Sequence, residues 1–171
     1  TDCITTFEDK RFFYHPGIDP IALGRALIKD IKNRETAQGG STLTMQVIRL
    51  SKKDNRLGIW NKIKESIFAV RTEMANSKKH ILAMYASNAP FGSNVVGLDA
   101  AAWRYFGRSP DKLSWGEMSA LAVLPNAPSL VRPGQTREVL LKKRNLRLAN
   151  LNAQQIMCEC SWTLANLETL P

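Results

Sequence analysis

Two adjacent carboxylates, Glu8 and Asp9, open the segment Glu8-Asp9-Lys10-Arg11-Phe12-Phe13-Tyr14-His15-Pro16-Gly17, which carries three aromatics and a histidine behind them. A carboxylate half-sheltered by rings has its charged form disfavoured, which moves it toward the range useful to a general base. The same residues also read as first-turn acids of a helix, with His15 in the turn before Pro16. A second cluster runs from Gly39-Gly40 into Ser41 as a helix N-cap, after which Thr42, Gln46 and Arg49 recur at i, i+4 and i+7. That spacing puts a hydroxyl, an amide and a guanidinium on one helical face near free N–H groups, an arrangement suited to phosphate. The Gly-Lys-Ser/Thr ending of a P-loop is missing, so nucleoside triphosphate binding is not indicated. A third pair, Lys62 and Glu65 at i, i+3, is in isolation a weak surface ion pair. Joined to Glu8, it gives two carboxylates and several cations in one helical domain. Glycosidic chemistry uses such a set: one carboxylate moves a proton while its surroundings stabilise separating charge.

The elements that position these residues read as helices. Asp19-Pro20 is an N-cap and first turn, followed by an apolar stripe at Leu23, Leu27 and Ile31; 34–40 is a polar loop. The helix through Ser41–Leu50 buries Leu43, Val47 and Leu50. The next is predicted to bury Ile59, Ile63, Ile67, Val70 and Met74, with Lys62 and Glu65 off that stripe. Ser77 caps a helix through Tyr85 that must break at Pro90-Phe91-Gly92. Asp99–Phe106 is a helix ended by Gly107, and Ser114-Trp115-Gly116-Glu117 is a capping box opening a helix to Leu124. Trp103, Tyr105, Phe106 and Trp115 sit at helical spacing among alanines and read as core. A basic helix follows from about 136 to 151, then a weakly patterned tail with helix near 152–160. Lys78, Lys79, Lys142, Lys143 and Arg144 read as solvated faces, and His80 as a surface residue.

The 171 residues are 44% hydrophobic and 23% charged, which excludes disorder and collagen and fits one domain or two small lobes. A net charge of +9 favours a partner carrying phosphate, on nucleic acid or on a lipid headgroup. No apolar run reaches the length of a membrane span, so any anchor or export signal is expected outside this chain. Cys3, Cys158 and Cys160 sit at the two ends rather than in a disulfide framework, and with His15 and His80 far apart no structural zinc set is formed.

Five blocks, EDKRFFYHPG, GGSTLTMQVIRL, NKIKE, ILAMYASNAPFG and LAVLPNAPS, occur in the order in which glycosyltransferase family 51 carries them. The chain therefore resembles the peptidoglycan glycosyltransferases of that family, found in class A penicillin-binding proteins and monofunctional transglycosylases; the TMQ, APFG and LPNAPS forms resemble the 1C branch. The resemblance implies a mainly α, lysozyme-like fold with a large lobe and a smaller membrane-apposed lobe, the family domain spanning 1–151 with the small lobe at roughly 18–40; the C-terminal tail over 152–171, with its Cys-Glu-Cys, has no counterpart in the family pattern. It also implies an inverting reaction in which lipid II joins a growing glycan chain with release of undecaprenyl pyrophosphate. By motif position Glu8 is the general base and Glu65 the second catalytic carboxylate, near the donor pyrophosphate. Asp9, Phe12 and His15 support Glu8, while Ser41, Thr42, Gln46, Arg49, Lys62 and Asn88 contact substrate or pyrophosphate.

The family further implies no covalent cofactor, a divalent cation (Mg or Mn) as an accessory, moenomycin as inhibitor, and no role for nucleic acid. The place of action is the outer face of the bacterial cytoplasmic membrane, reached through an anchor not present in this chain. Arg49 stands where lysine is common, Met45 where glutamine is, and Asn61 where arginine is. The rival readings are a lysozyme-like enzyme that cleaves glycan and a degenerate module that binds lipid II without turnover.

Overall fold

The computed structural model describes residues 5–6, 8–25, 40–52, 59–92, 94–126 and 137–169. Among them the chain is helical, as the patterning predicts, with one isolated antiparallel bridge between Pro90 and Val96 and no strand. The helices are α1 (Leu43–Lys52), α2 (Ile59–Ala75), α3 (Lys78–Asn88), α4 (Leu98–Phe106), α5 (Trp115–Val123), α6 (Arg137–Ala153) and α7 (Glu159–Leu167), with 3-10 turns at Pro110–Lys112 and Leu124–Asn126. They fall into two compact units, one formed by Glu8–Tyr85 and the other by Thr1–Phe7 with Ala86–Pro171. Most of the small lobe anticipated near 18–40, including Leu27, Ile31 and the loop before Gly40, lies outside the described residues, as do Cys3 and Pro128.

In the Glu8–Tyr85 unit, Asp19 caps a helix that starts at residue 20: its Oδ1 accepts from the Ile21 and Ala22 amides at 3.0 Å each, and Arg11 pairs with it at 2.7 Å. Phe12, Leu43, Met45, Ala69, Ile81 and Tyr85 are buried, and α1 packs on α2. The expected face of α2 is reversed. Ile63, Ile67 and Met74 are exposed, as are Trp60 and Phe68, while Glu65 and Ala69 are buried. The inward face repeats at i, i+4 and i+8 through Glu65, Ala69 and Glu73 because each meets a specific partner there. Arg49 takes Glu65, Thr44 and Lys78 take Glu73, and the backbone of Gly17 approaches Ala69 so closely that a Cβ would stand 2.8 Å from its carbonyl. Gly17 also has φ +92°, which only glycine adopts without strain.

The second unit holds α4–α7. The capping box of α5 forms as predicted, Ser114 Oγ accepting from the Glu117 amide at 3.1 Å and Glu117 accepting from the Ser114 amide at 2.9 Å. Gly107 ends α4 in the left-handed region. Trp103 is exposed rather than core; Ala101 and Ala102 fill the inward face of that short helix instead, and Tyr105 anchors it by donating to the Phe91 carbonyl at 3.0 Å. Arg144, read as a surface cation, is 1% exposed. Its guanidinium donates to the carbonyls of Glu168 at 2.7 Å and Asn166 at 3.2 Å, so it satisfies oxygens at the C-terminal end of α7. The tail is thereby fastened to α6, and its helix begins at Glu159 with Cys158 as N-cap, later than the sequence pattern places it.

Candidate active site

The turn after Glu8 is built around a buried hydrogen bond between His15 and Asp9. His15 Nδ1 accepts from the Gly17 amide at 3.1 Å, so the ring proton sits on Nε2 and is donated to Asp9, whose oxygens lie 2.9 and 3.0 Å away. Asp9 Oδ2 also accepts from the Leu43 amide at 3.0 Å, tying the turn to the first residue of α1. Phe12 packs edge-on to His15, and Lys78 closes the far side: its Nζ donates to the His15 carbonyl at 2.7 Å and to Glu73 at 2.8 Å and stands 4.5 Å from the Phe12 ring centroid. Asp9, Phe12 and His15 are thus packed together in the turn that follows Glu8. Lys78 joins them, having been read as a solvated face because only tertiary packing brings its ammonium to a carbonyl 63 residues away.

Glu8 is half-buried, and Gln46 of α1 donates to its Oε2 at 2.9 Å. One turn on, Arg49 donates through Nε and Nη2 to the two oxygens of Glu65 at 3.0 and 2.8 Å. These charge-assisted bonds hold the guanidinium even more firmly protonated than usual, against the opposing effect of burial. The Lys62–Glu65 pair gives way to this bidentate one. Arg49 and Glu65 line a pocket of ≈ 160 Å³ with Lys52, Asn61 and Lys64. Lys52 and Lys64 were not singled out by motif, whereas Lys62 is half-buried and does not line the pocket.

The remaining candidates separate. Thr42, not Ser41, caps α1: its hydroxyl accepts from the Met45 amide at 3.2 Å and donates to the Gly17 carbonyl at 2.6 Å, so it is consumed inside the fold. Ser41 is half-buried beside it, and Asn88 belongs to the other unit. Among the described residues no group of three His, Cys, Asp or Glu side chains is placed to hold a metal ion, and both Glu65 oxygens are already taken by Arg49.

A sequence model of the Transglycosylase family matches residues 1–152. The chain belongs to that family. Among relatives of this transglycosylase chain, penicillin-binding protein 1C of Escherichia coli (strain K12) is 39% identical over 155 residues, covering 91% of the chain and 20% of that protein. Penicillin-binding protein 1A of Aquifex aeolicus (strain VF5) is 38% identical over 144 residues, 84% of the chain and 20% of its own length. The crystal structure of penicillin-binding protein 1A from Haemophilus influenzae superposes with a TM-score of 0.52 at 29% identity, over 56% of this chain and 14% of that one. The transglycosylase chain thus spans about a fifth of the length of its curated relatives, and Glu8, Asp9, His15, Gln46, Arg49 and Glu65 all fall within the matched region.

Proposed function

We propose that this chain is a peptidoglycan glycosyltransferase domain that extends glycan strands from lipid II by single displacement, with inversion at the donor anomeric carbon and release of undecaprenyl pyrophosphate. The observation that carries the reading is the placement of Glu8 against Gln46, with the cationic Arg49–Glu65 pocket one helical turn farther along α1. Glu8 takes the proton of the acceptor sugar 4-hydroxyl as its oxygen bonds to the donor carbon, and the carbon–oxygen bond to pyrophosphate breaks. Gln46 orients the carboxylate, and the Asp9–His15 clamp fixes the turn that carries it. Negative charge accumulates on the departing pyrophosphate, which Arg49, Lys52 and Lys64 would offset, Glu65 keeping the Arg49 guanidinium in place. A divalent cation would screen the same charge from the diphosphate side.

The partner surface is a lipid bilayer carrying anionic headgroups at the outer face of the cytoplasmic membrane, with moenomycin as inhibitor of the pyrophosphate side. Support for a lipid surface comes from the +9 charge and from the exposed apolar face of α2, where Trp60, Ile63, Ile67 and Met74 meet solvent. No helix among the described residues is long and apolar enough to cross a membrane. The deciding experiment is incubation with fluorescent lipid II in detergent, with and without a divalent cation, beside Glu8→Gln and Glu65→Gln. Polymer from the wild-type chain, lost in both variants, is the expected result. Binding without polymer, or shortening of preformed glycan, would sink the reading and favour a binding module or a cleaving enzyme.

A further inference from the structure

The pocket beside α1 is lined by Asn61, by three cations, Arg49, Lys52 and Lys64, and by the Glu65 carboxylate, both of whose oxygens Arg49 occupies. Lys52 is the last residue of α1, three after Arg49. Among the described residues no carboxylate pairs with its ammonium, which stands instead over the Phe68 ring of α2, 3.9 Å from the centroid. That is well inside the roughly 6 Å over which a ring face attracts a cation. Phe68 itself is 41% exposed, so the ring is not there to fill the core. Two ways of holding an ammonium leave it in different states. A carboxylate fixes it and cancels its charge, as Glu73 does for Lys78 in the same unit. A ring face fixes it through the quadrupole and leaves the charge available to an anion. A lysine at a helix end otherwise spreads over many rotamers, and ordering it when the ligand arrives costs affinity.

We propose that Phe68 is a positioning residue for the anion site: its ring holds the Lys52 ammonium at the pocket, still charged, where an oxygen of the pyrophosphate takes it. The inference rests on the reading of this pocket as the pyrophosphate site. It divides the exposed apolar residues of α2 by role, since Phe68 faces a cation whereas Ile63 and Ile67 meet solvent. An aromatic ring of any kind can do this work and an aliphatic side chain cannot, which fixes the choice of variants.

Inorganic pyrophosphate is the probe, titrated calorimetrically into the whole chain without detergent or lipid, so that contact of α2 with an apolar phase plays no part. Phe68→Leu keeps an apolar side chain at a partly exposed position, and its thermal midpoint should stay close to that of wild type. Its Kd for pyrophosphate should rise about three- to fivefold. Phe68→Trp, which restores a ring, should bind at least as tightly as wild type. Lys52→Met should weaken binding as much as Phe68→Leu or more, and adding Phe68→Leu to it should change nothing further, because the ring acts through that ammonium. Unchanged binding in Phe68→Leu, a tryptophan variant as weak as the leucine one, or losses that add in the double variant would overturn the inference. Arg49→Met separates it from the reading beneath it. If wild type and Arg49→Met bind pyrophosphate equally, or neither binds, the pocket is not the pyrophosphate site and the inference falls with that reading. If Arg49→Met loses binding while Phe68→Leu matches wild type, the role of Phe68 alone has failed.

Discussion

Arg49 meets Glu65 through two parallel hydrogen bonds, and the charge on that guanidinium serves both the carboxylate and the pocket beside it. Removing it by Arg49→Met leaves a buried carboxylate without its counter-ion and takes one cation from the proposed pyrophosphate site, so kcat/KM with lipid II should fall by about 10²-fold or more. Arg49→Lys keeps the charge and one of the two bonds, and should recover most of that loss. Steady-state kinetics that rank the lysine variant no better than the methionine one would show that geometry, not charge, matters here. The motif residues of this site were legible because their spacing on α1 is a property of any helix: Gln46 and Arg49 share a face whatever packs against it. Which acid each would reach was not. Lys62 is the sequence neighbour of Glu65, yet Arg49 wins because it arrives from a facing helix with a planar fork that matches both oxygens. Lys78 was hidden for a similar reason, since an ammonium over a phenyl ring is an outcome of tertiary packing.

Helix boundaries marked by caps were readable in advance. Asp19, Ser77, Gly107 and the Ser114–Glu117 box all act where local chemistry places them, because a cap is satisfied within four residues of itself. The inward face of α2 was not readable, since the apolar stripe rule assumes that burial follows hydrophobicity, whereas here two glutamates and an alanine face inward against an arginine, a lysine and a glycine backbone. The Asp19 cap gives a pH test of the local argument. Burial pushes its carboxyl up, but the Ala22 amide, Arg11 and the Ile21 amide outweigh it and hold the group below its ordinary value of 3.8. A depressed carboxyl contributes stability that is fully present above the unfolded value and disappears as pH falls through the folded one. Asp19→Ala should therefore cost about 1 kcal/mol at neutral pH. Asp19→Asn keeps the cap and loses the charge, so its deficit should close as the solution is acidified below 3.8. Urea midpoints measured from neutral pH downward check both, and a pH-independent gap for the asparagine variant would refute the ion-pair part.

At the scale of the whole chain, two features point outward together: a net charge of +9 and an apolar face on α2 that the fold leaves uncovered. They make different predictions about a lipid surface. Attraction of Lys and Arg to anionic headgroups is screened within a Debye length of about 10 Å at 0.1 M salt, so it should collapse as salt rises toward 0.5 M. Insertion of Ile63, Ile67 and their neighbours between headgroups is driven by apolar burial and resists salt. Co-sedimentation with vesicles of phosphatidylcholine mixed with phosphatidylglycerol should accordingly show strong binding at low salt and a smaller, salt-resistant fraction at high salt. Ile63→Ser with Ile67→Ser should abolish the resistant fraction and leave most of the low-salt binding, because neither side chain carries charge and both are exposed, so the fold loses little. If the double variant binds at high salt as wild type does, the face of α2 is not what meets the lipid. If neutral phosphatidylcholine vesicles bind the wild-type chain at low salt as well as anionic ones do, the charge has no part in it.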